Sequence, residues 1–136
     1  MKKRGKLILL LAIVIISFAF VNASFDGICD FGLLENLYRE DWENYANEIS
    51  RVLKPGGFYL NVSLSRKTKN FLDFLPSISK DGEFEKEGVH YHFFEREEMK
   101  NIFNNKMTLI SDNVEFAEKP REEIALLQTL FQKKTQ

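Results

Sequence analysis

From Tyr38 onward apolar side chains recur at Tyr38, Trp42, Tyr45, Ile49, Val52 and Leu53. Steps of three and four place these residues on one face of a helix. Arg39, Glu40, Glu43, Asn44, Asn47, Glu48 and Arg51 fall on the other face. Acidic Glu40 and Asp41 open this helix while Arg51 and Lys54 close it, the arrangement the helix dipole favours. Pro55, Gly56 and Gly57 then predict a stop and a turn. On either side the pattern changes. Phe25–Asp30 is a short run rich in Phe, Ile and Cys that reads as a buried strand. Phe58–Leu64 (FYLNVSL) is mostly apolar, as expected of a strand covered on both faces. Strand, helix and strand within this span imply a parallel pair joined by a right-handed crossover.

The rest of the chain is patterned more weakly. Ser65–Asn70 is polar and basic and reads as a loop, and Phe71–Leu75 as a short helix before Pro76. Lys80–Gly88, charged and containing two glycines, reads as an exposed loop, and Val89–Phe94 as β-prone. A helix follows, with Phe94 and Met99 spaced as a hydrophobic staple and Glu98 at the third helical position. Met107–Ala117 reads as a strand and Glu118–Glu122 as a turn. In Glu123–Gln132 the apolar positions satisfy helical and strand spacing alike, and periodicity leaves both open.

Composition narrows the function classes. A chain of 136 residues holds one domain, and a hydrophobic share of 44% against 29% charged excludes wholesale disorder. A net charge of −1 gives no field that calls for nucleic acid. Cys29 is the only cysteine, which excludes a disulfide framework and a thiolate-rich metal site.

The first residues form their own pattern. Lys2, Lys3, Arg4 and Lys6 precede an uncharged run from Leu7 to Val21, followed by Asn22 and Ala23. Residues 1–23 therefore read as a signal peptide, with a short membrane anchor second, and a buried strand or core helix as the purely structural alternative. The first two readings imply a secretory or membrane-anchored chain contacting lipid through residues 7–21, with 24–136 as the folded part. A cytoplasmic location follows if the segment is an artefact of the gene model. Two Asn-x-Ser sequons, at Asn22 and Asn61, agree with a secretory route but arise easily by chance.

The stretch FDGICDFGLLENL, the helix ending EISRVLKPGG and the following FYLNV resemble strands four and five of the class I S-adenosylmethionine-dependent methyltransferases. FVNASFD (Phe20–Asp26) is similar to that family's approach to strand four, and His90–Phe94 with Glu97–Met99 to its lead-in to the last helix. The resemblance covers about Phe20 to Lys134. It implies an α/β fold: a partial Rossmann-like sheet of strands four, five, seven and six, with an N-terminal apolar helix and Glu123–Gln132 as the seventh strand. The family's earlier half carries its main cofactor grip, a Gly-rich loop. This sequence has no G-x-G, and the apolar leader stands in the place of the first strands. The resemblance therefore describes a C-terminal half: a truncated gene model, a degenerate copy, or a half that needs a partner.

By that resemblance Cys29, Asp30, Phe31 and Gly32 line the S-adenosylmethionine site, and His90, Tyr91 and His92 lie near an unknown methyl acceptor. Read from the residues alone, Asp30 hydrogen-bonds backbone amides at a strand end. His90 and His92, at an i, i+2 spacing, are a packed or solvent-facing pair rather than metal ligands. Asp26 and Glu35 form at most a weak carboxylate pair, and Ser63, Ser65, Arg66, Lys67 and Lys69 either meet an anionic acceptor or form a solvated loop. The expected function is methyl transfer, incomplete in this chain alone; the alternative is a non-catalytic secreted or anchored binding module. A bare edge at strand four predicts self-association.

Overall fold

The computed structural model describes residues 22–69, 81–119 and 124–135. The leader expectation at residues 1–21, the N-terminal apolar helix and the short helix at 71–75 lie outside the described residues.

The chain enters β1 (Phe25–Phe31), passes two 3-10 turns at Leu34–Asn36 and Arg39–Asp41, and forms α1 (Trp42–Val52). It continues directly into β2 (Leu53–Leu64). A hairpin of β3 (Glu83–Lys86) and β4 (Val89–His92) leads to α2 (Arg96–Phe103), β5 (Met107–Phe116) and β6 (Ala125–Lys133). The main sheet has the order β1-β2-β6-β5. β1 pairs parallel to β2, and β6 runs antiparallel to both β2 and β5. The crossover around α1 is thus the expected one, and the ambiguous C-terminal segment is a strand. Helix spacing lost there because each apolar side chain of β6 gains cross-strand neighbours on two sides, Leu60 opposite Leu130 and Val114 opposite Leu127.

Both helices lie on one face. Trp42, Tyr45 and Ile49 of α1 and Met99 and Phe103 of α2 bury against Tyr59, Leu127 and Phe131 of the sheet. The ring of Phe103 stands 5.0 Å from Tyr59 and 4.8 Å from Phe131, at the centre of an aromatic core. The start of α2 is as its sequence predicts. Glu95 is the N-cap, Glu95 and Glu98 form a reciprocal capping box, and Phe94 and Met99 are fully buried beside it.

Four readings change. β2 is covered on one face: Tyr59, Asn61 and Ser63 are buried while Leu60, Val62 and Leu64 are half-buried and Phe58 is exposed. β1, read as buried, is largely exposed, with Asp30 its one buried residue and Phe31 64% accessible. The cause is shared: among the described residues β1 is an edge strand, and the helices pack on the opposite face from Phe31 and Phe58. Within Lys80–Gly88, read as a loop, residues 83–86 pair with β4. The two-residue link has positive φ at Glu87 (52°) and Gly88 (79°), a type I′ geometry that is usually announced by Asn-Gly or Asp-Gly. Glu at the first position hid the hairpin. Pro55–Gly57 is not a separate turn either. It lies inside β2, opposite a register shift between Phe25 and Gly27.

Candidate functional site

In an open α/β sheet, ligands meet the carboxyl ends of parallel strands, where helix starts and loops leave an opening. Here that place is the end of β1 and β2, and the residues between Asp30 and Tyr38 build it.

Asp30 points to the helix-covered face and is consumed there. Its Oδ1 accepts the Leu33 amide at 2.7 Å and its Oδ2 the Leu34 amide at 3.1 Å, which fixes the tight exit from β1. The Tyr45 hydroxyl donates to Oδ2 in a short bond, and the Asn61 amide stands 3.4 Å away. Tyr45 and Tyr59 hydroxyls lie 2.6 Å apart, Asn61 Nδ2 donates to Tyr59 at 2.9 Å, and Ser63 donates to Asn61 at 2.6 Å. This chain of neutral groups is shielded from water. Burial raises the Asp30 carboxyl above its ordinary range, against the lowering effect of the hydrogen bonds from Tyr45, Leu33 and Leu34. Burial also pushes both tyrosines well up, so they remain donors.

Cys29 and Phe31 alternate with Asp30 and therefore face the other way, both exposed. Gly32 has φ +94°, a left-handed turn that a side chain would strain. The four residues of the expected cofactor wall thus divide: Cys29, Phe31 and the Gly32 backbone present open surface, and Asp30 holds the loop that presents them. As to fit, these residues offer a wall and no cradle for the cofactor's ribose or amino-acid end, consistent with the missing G-x-G.

Glu35 is the residue the sequence reading undervalued. It does not pair with Asp26, which instead meets Lys54 at 3.4 Å. Its Oε1 accepts the Leu64 amide at 3.0 Å, beyond the last pairing of β1 with β2, where the ladder would leave that donor bare. Burial, and secondarily the charge of Asp30, push its carboxyl up to about 8 despite the Leu64 hydrogen bond. The only sequence signal was its position, five residues beyond a strand-end Asp.

The β3–β4 hairpin closes one side of this place. Asn36 Nδ2 donates to the His90 carbonyl at 2.9 Å, the Tyr38 ring stacks on His90 at 4.3 Å, and the Tyr38 hydroxyl donates to Glu85 at 2.9 Å. His90 and His92 are both buried on the inward face of β4, while Tyr91 is half-buried between them. The pair shares a face as its spacing requires. Among the described residues no group of His, Cys, Asp and Glu is placed to hold a metal ion. The basic loop after β2 leaves Lys67 and Lys69 exposed, while its other members are engaged. Ser63, Ser65 and Thr68 are buried, and Arg66 is engaged by Glu98 at 3.2 Å, Glu95 at 3.3 Å and the Phe93 carbonyl at 2.9 Å.

Comparison with known proteins agrees with this architecture. Residues 2–61 match the family model described as a methyltransferase domain, a match that includes the apolar leader. No curated protein matches the chain in sequence. Among solved structures, an S-adenosylmethionine-dependent methyltransferase from Methanosarcina mazei aligns at TM-score 0.71 and 19% identity, over 87% of this chain and 63% of that one. The 1,6-didemethyltoxoflavin N1-methyltransferase of Burkholderia thailandensis, with 1,6-didemethyltoxoflavin and S-adenosylhomocysteine bound, aligns at 0.68 and 17%, over 88% and 48%. The N-methyltransferase NodS from Bradyrhizobium japonicum, in complex with S-adenosylhomocysteine, aligns at 0.57 and 18%, over 88% and 50%. The chain thus spans about half to two thirds of the length of these structures. Among the described residues no helix is long and apolar enough to cross a membrane. What these residues build is the C-terminal half of the class I S-adenosylmethionine-dependent methyltransferase fold.

Proposed function

We propose that the carboxyl ends of β1 and β2 form the acceptor side of a methyl-transfer site that uses S-adenosylmethionine, with an amine nitrogen as acceptor. The observation that carries this reading is the strand order β1-β2-β6-β5, a parallel crossover followed by an antiparallel return, in a chain matched by the methyltransferase-domain family model. The cofactor, when bound, supplies an electrophilic methyl group on a sulfonium. Cys29, Phe31 and the Gly32 backbone provide a wall for it, and Asp30 keeps that wall in place through Leu33 and Leu34. Methylation of an amine releases one proton. Glu35, part-exposed at the strand ends with a carboxyl near 8, is suited to accept it, because a base works best with its pKa near the working pH. Two of the structurally similar proteins are described as methylating nitrogen, which supports this choice of acceptor.

The test is a titration of the full chain with S-adenosylhomocysteine, read by calorimetry and by amide chemical shifts. The expected result is binding weaker than micromolar, with shifts confined to Cys29–Gly32 and their neighbours. Micromolar affinity refutes the view that these residues supply only a wall. Shifts elsewhere, or none at saturation, refute the site itself.

A further inference from the structure

His92 is wholly shielded from solvent and stands between two carboxylates. Its Nε2 is 2.7 Å from Glu98 Oε1 on α2, and its Nδ1 is 3.7 Å from Glu83 Oε1 on β3. Nδ1 has no hydrogen-bond partner among the described residues. The ring is boxed by Trp42 of α1 at 4.7 Å and by Phe94 at 4.5 Å. Two cations complete the surroundings. Arg39, before α1, lies 3.6 Å from Glu83 and 3.7 Å from Glu98 and stacks over Trp42, while Arg66, after β2, lies 3.2 Å from Glu98.

A neutral imidazole carries one N–H. Given to Glu98, it leaves the Nδ1 lone pair facing the Glu83 carboxylate; the imidazolium carries a donor on each nitrogen and satisfies both. We propose that His92 is a proton-operated latch: as imidazolium it bridges Glu83 to Glu98 and clamps the β3–β4 hairpin onto the two helices, and loss of the proton releases β3. The same hairpin holds the Asn36–Tyr38 loop through His90, so the latch governs the order of the segment carrying Glu35. Its bearing on catalysis rests on the function proposed above; the latch itself does not.

Gly82 is built into the same device. A Cβ there would lie 2.6 Å from the Phe93 carbonyl and 2.7 Å from Arg66 Nε, at φ +93°. Any side chain would separate Arg66 from the hairpin.

The chain contains one tryptophan and two histidines, so the latch reports on itself. A protonated imidazole against an indole quenches its fluorescence. In the full chain, Trp42 emission is expected to rise in one step as pH is raised and the imidazole gives up its proton. The step is expected to vanish in His92→Gln, to persist in His90→Gln and to move toward acid in Glu83→Gln. A step that survives His92→Gln, or no step in the unmodified chain, overturns the proposal. Where circular dichroism shows that His92→Gln has not folded, Glu83→Gln decides, and an unmoved step overturns it. Cofactor affinity does not enter this readout, so failure of the methyl-transfer reading leaves the result interpretable.

Discussion

Asp30 and Glu98 are both carboxylates with little access to solvent, and they are held by opposite means. Asp30 is buried among backbone amides, phenols and a carboxamide, all neutral. Glu98, with 18% of its side chain accessible, meets a histidine and two arginines. The first cluster closes the strand end by saturating donors, and its cost is desolvation, which shows as a raised carboxyl. The second joins four segments (the turn before α1, the loop after β2, the hairpin and α2) through charge, at a rim that water reaches. A fixed wall suits the first; a part that opens suits the second.

Substitutions sharpen this contrast. Asp30→Ala strands the Leu33 and Leu34 amides and the Tyr45 hydroxyl in a dry site, and urea unfolding is expected to show a loss of about 4 kcal/mol. Asp30→Asn keeps an acceptor and the shape, so it is expected to lose about half as much; equal losses from the two variants would contradict saturation of donors as the cause.

Glu35 gives the next largest effect, and its direction follows from linkage. Its folded carboxyl, near 8, lies above the unfolded value near 4.5, so the folded chain binds the proton more tightly. Its contribution is complete below about pH 4.5 and is lost as pH rises through about 8; the shift corresponds to about 5 kcal/mol, which screening at this part-exposed group reduces to roughly 3 kcal/mol. Glu35→Gln, which mimics the protonated acid, is expected to match the unmodified chain near the lower limit and to exceed it in stability above the upper one. Parallel stability curves for the two proteins would show that Glu35 titrates normally.

Tyr59→Phe removes one hydroxyl from the Asp30 cluster and leaves Asn61 short of an acceptor, a loss of about 1.5 kcal/mol by urea unfolding. Arg39→Ala, in the ionic cluster, removes a side chain that is 49% exposed and is expected to cost about 1 kcal/mol or less, falling further with added salt. A salt-insensitive loss of several kcal/mol there would erase the distinction between the clusters. The β1 edge, unpaired among the described residues, adds one more expectation: sedimentation of the 24–136 segment should show self-association, and a cooperatively melting monomer would count against it.

The local elements were legible because local rules made them. The α1 stripe from Trp42 to Val52, the staple of Phe94 and Met99, and the strand-end Asp30 capping Leu33 and Leu34 depend on neighbours within a few residues. Burial was less legible. An FDGICDF run looks like a core strand, yet its exposure depends on whether another strand lies beside it. The roles of His90 and His92 were open for the same reason, since Tyr38, Trp42, Glu83 and Glu98 come to them from separate elements.

By itself, then, the sequence determined the crossover and its helix face, because periodicity and turn chemistry act over short distances. Only the tertiary structure decided that Asp30 faces the core while Cys29 and Phe31 do not, that Glu35 caps Leu64, and that His92 lies between two carboxylates. Those facts depend on which side of a sheet the helices cover and on contacts across dozens of residues. Burial and electrostatic environment are properties of that assembly, and no single segment carries them.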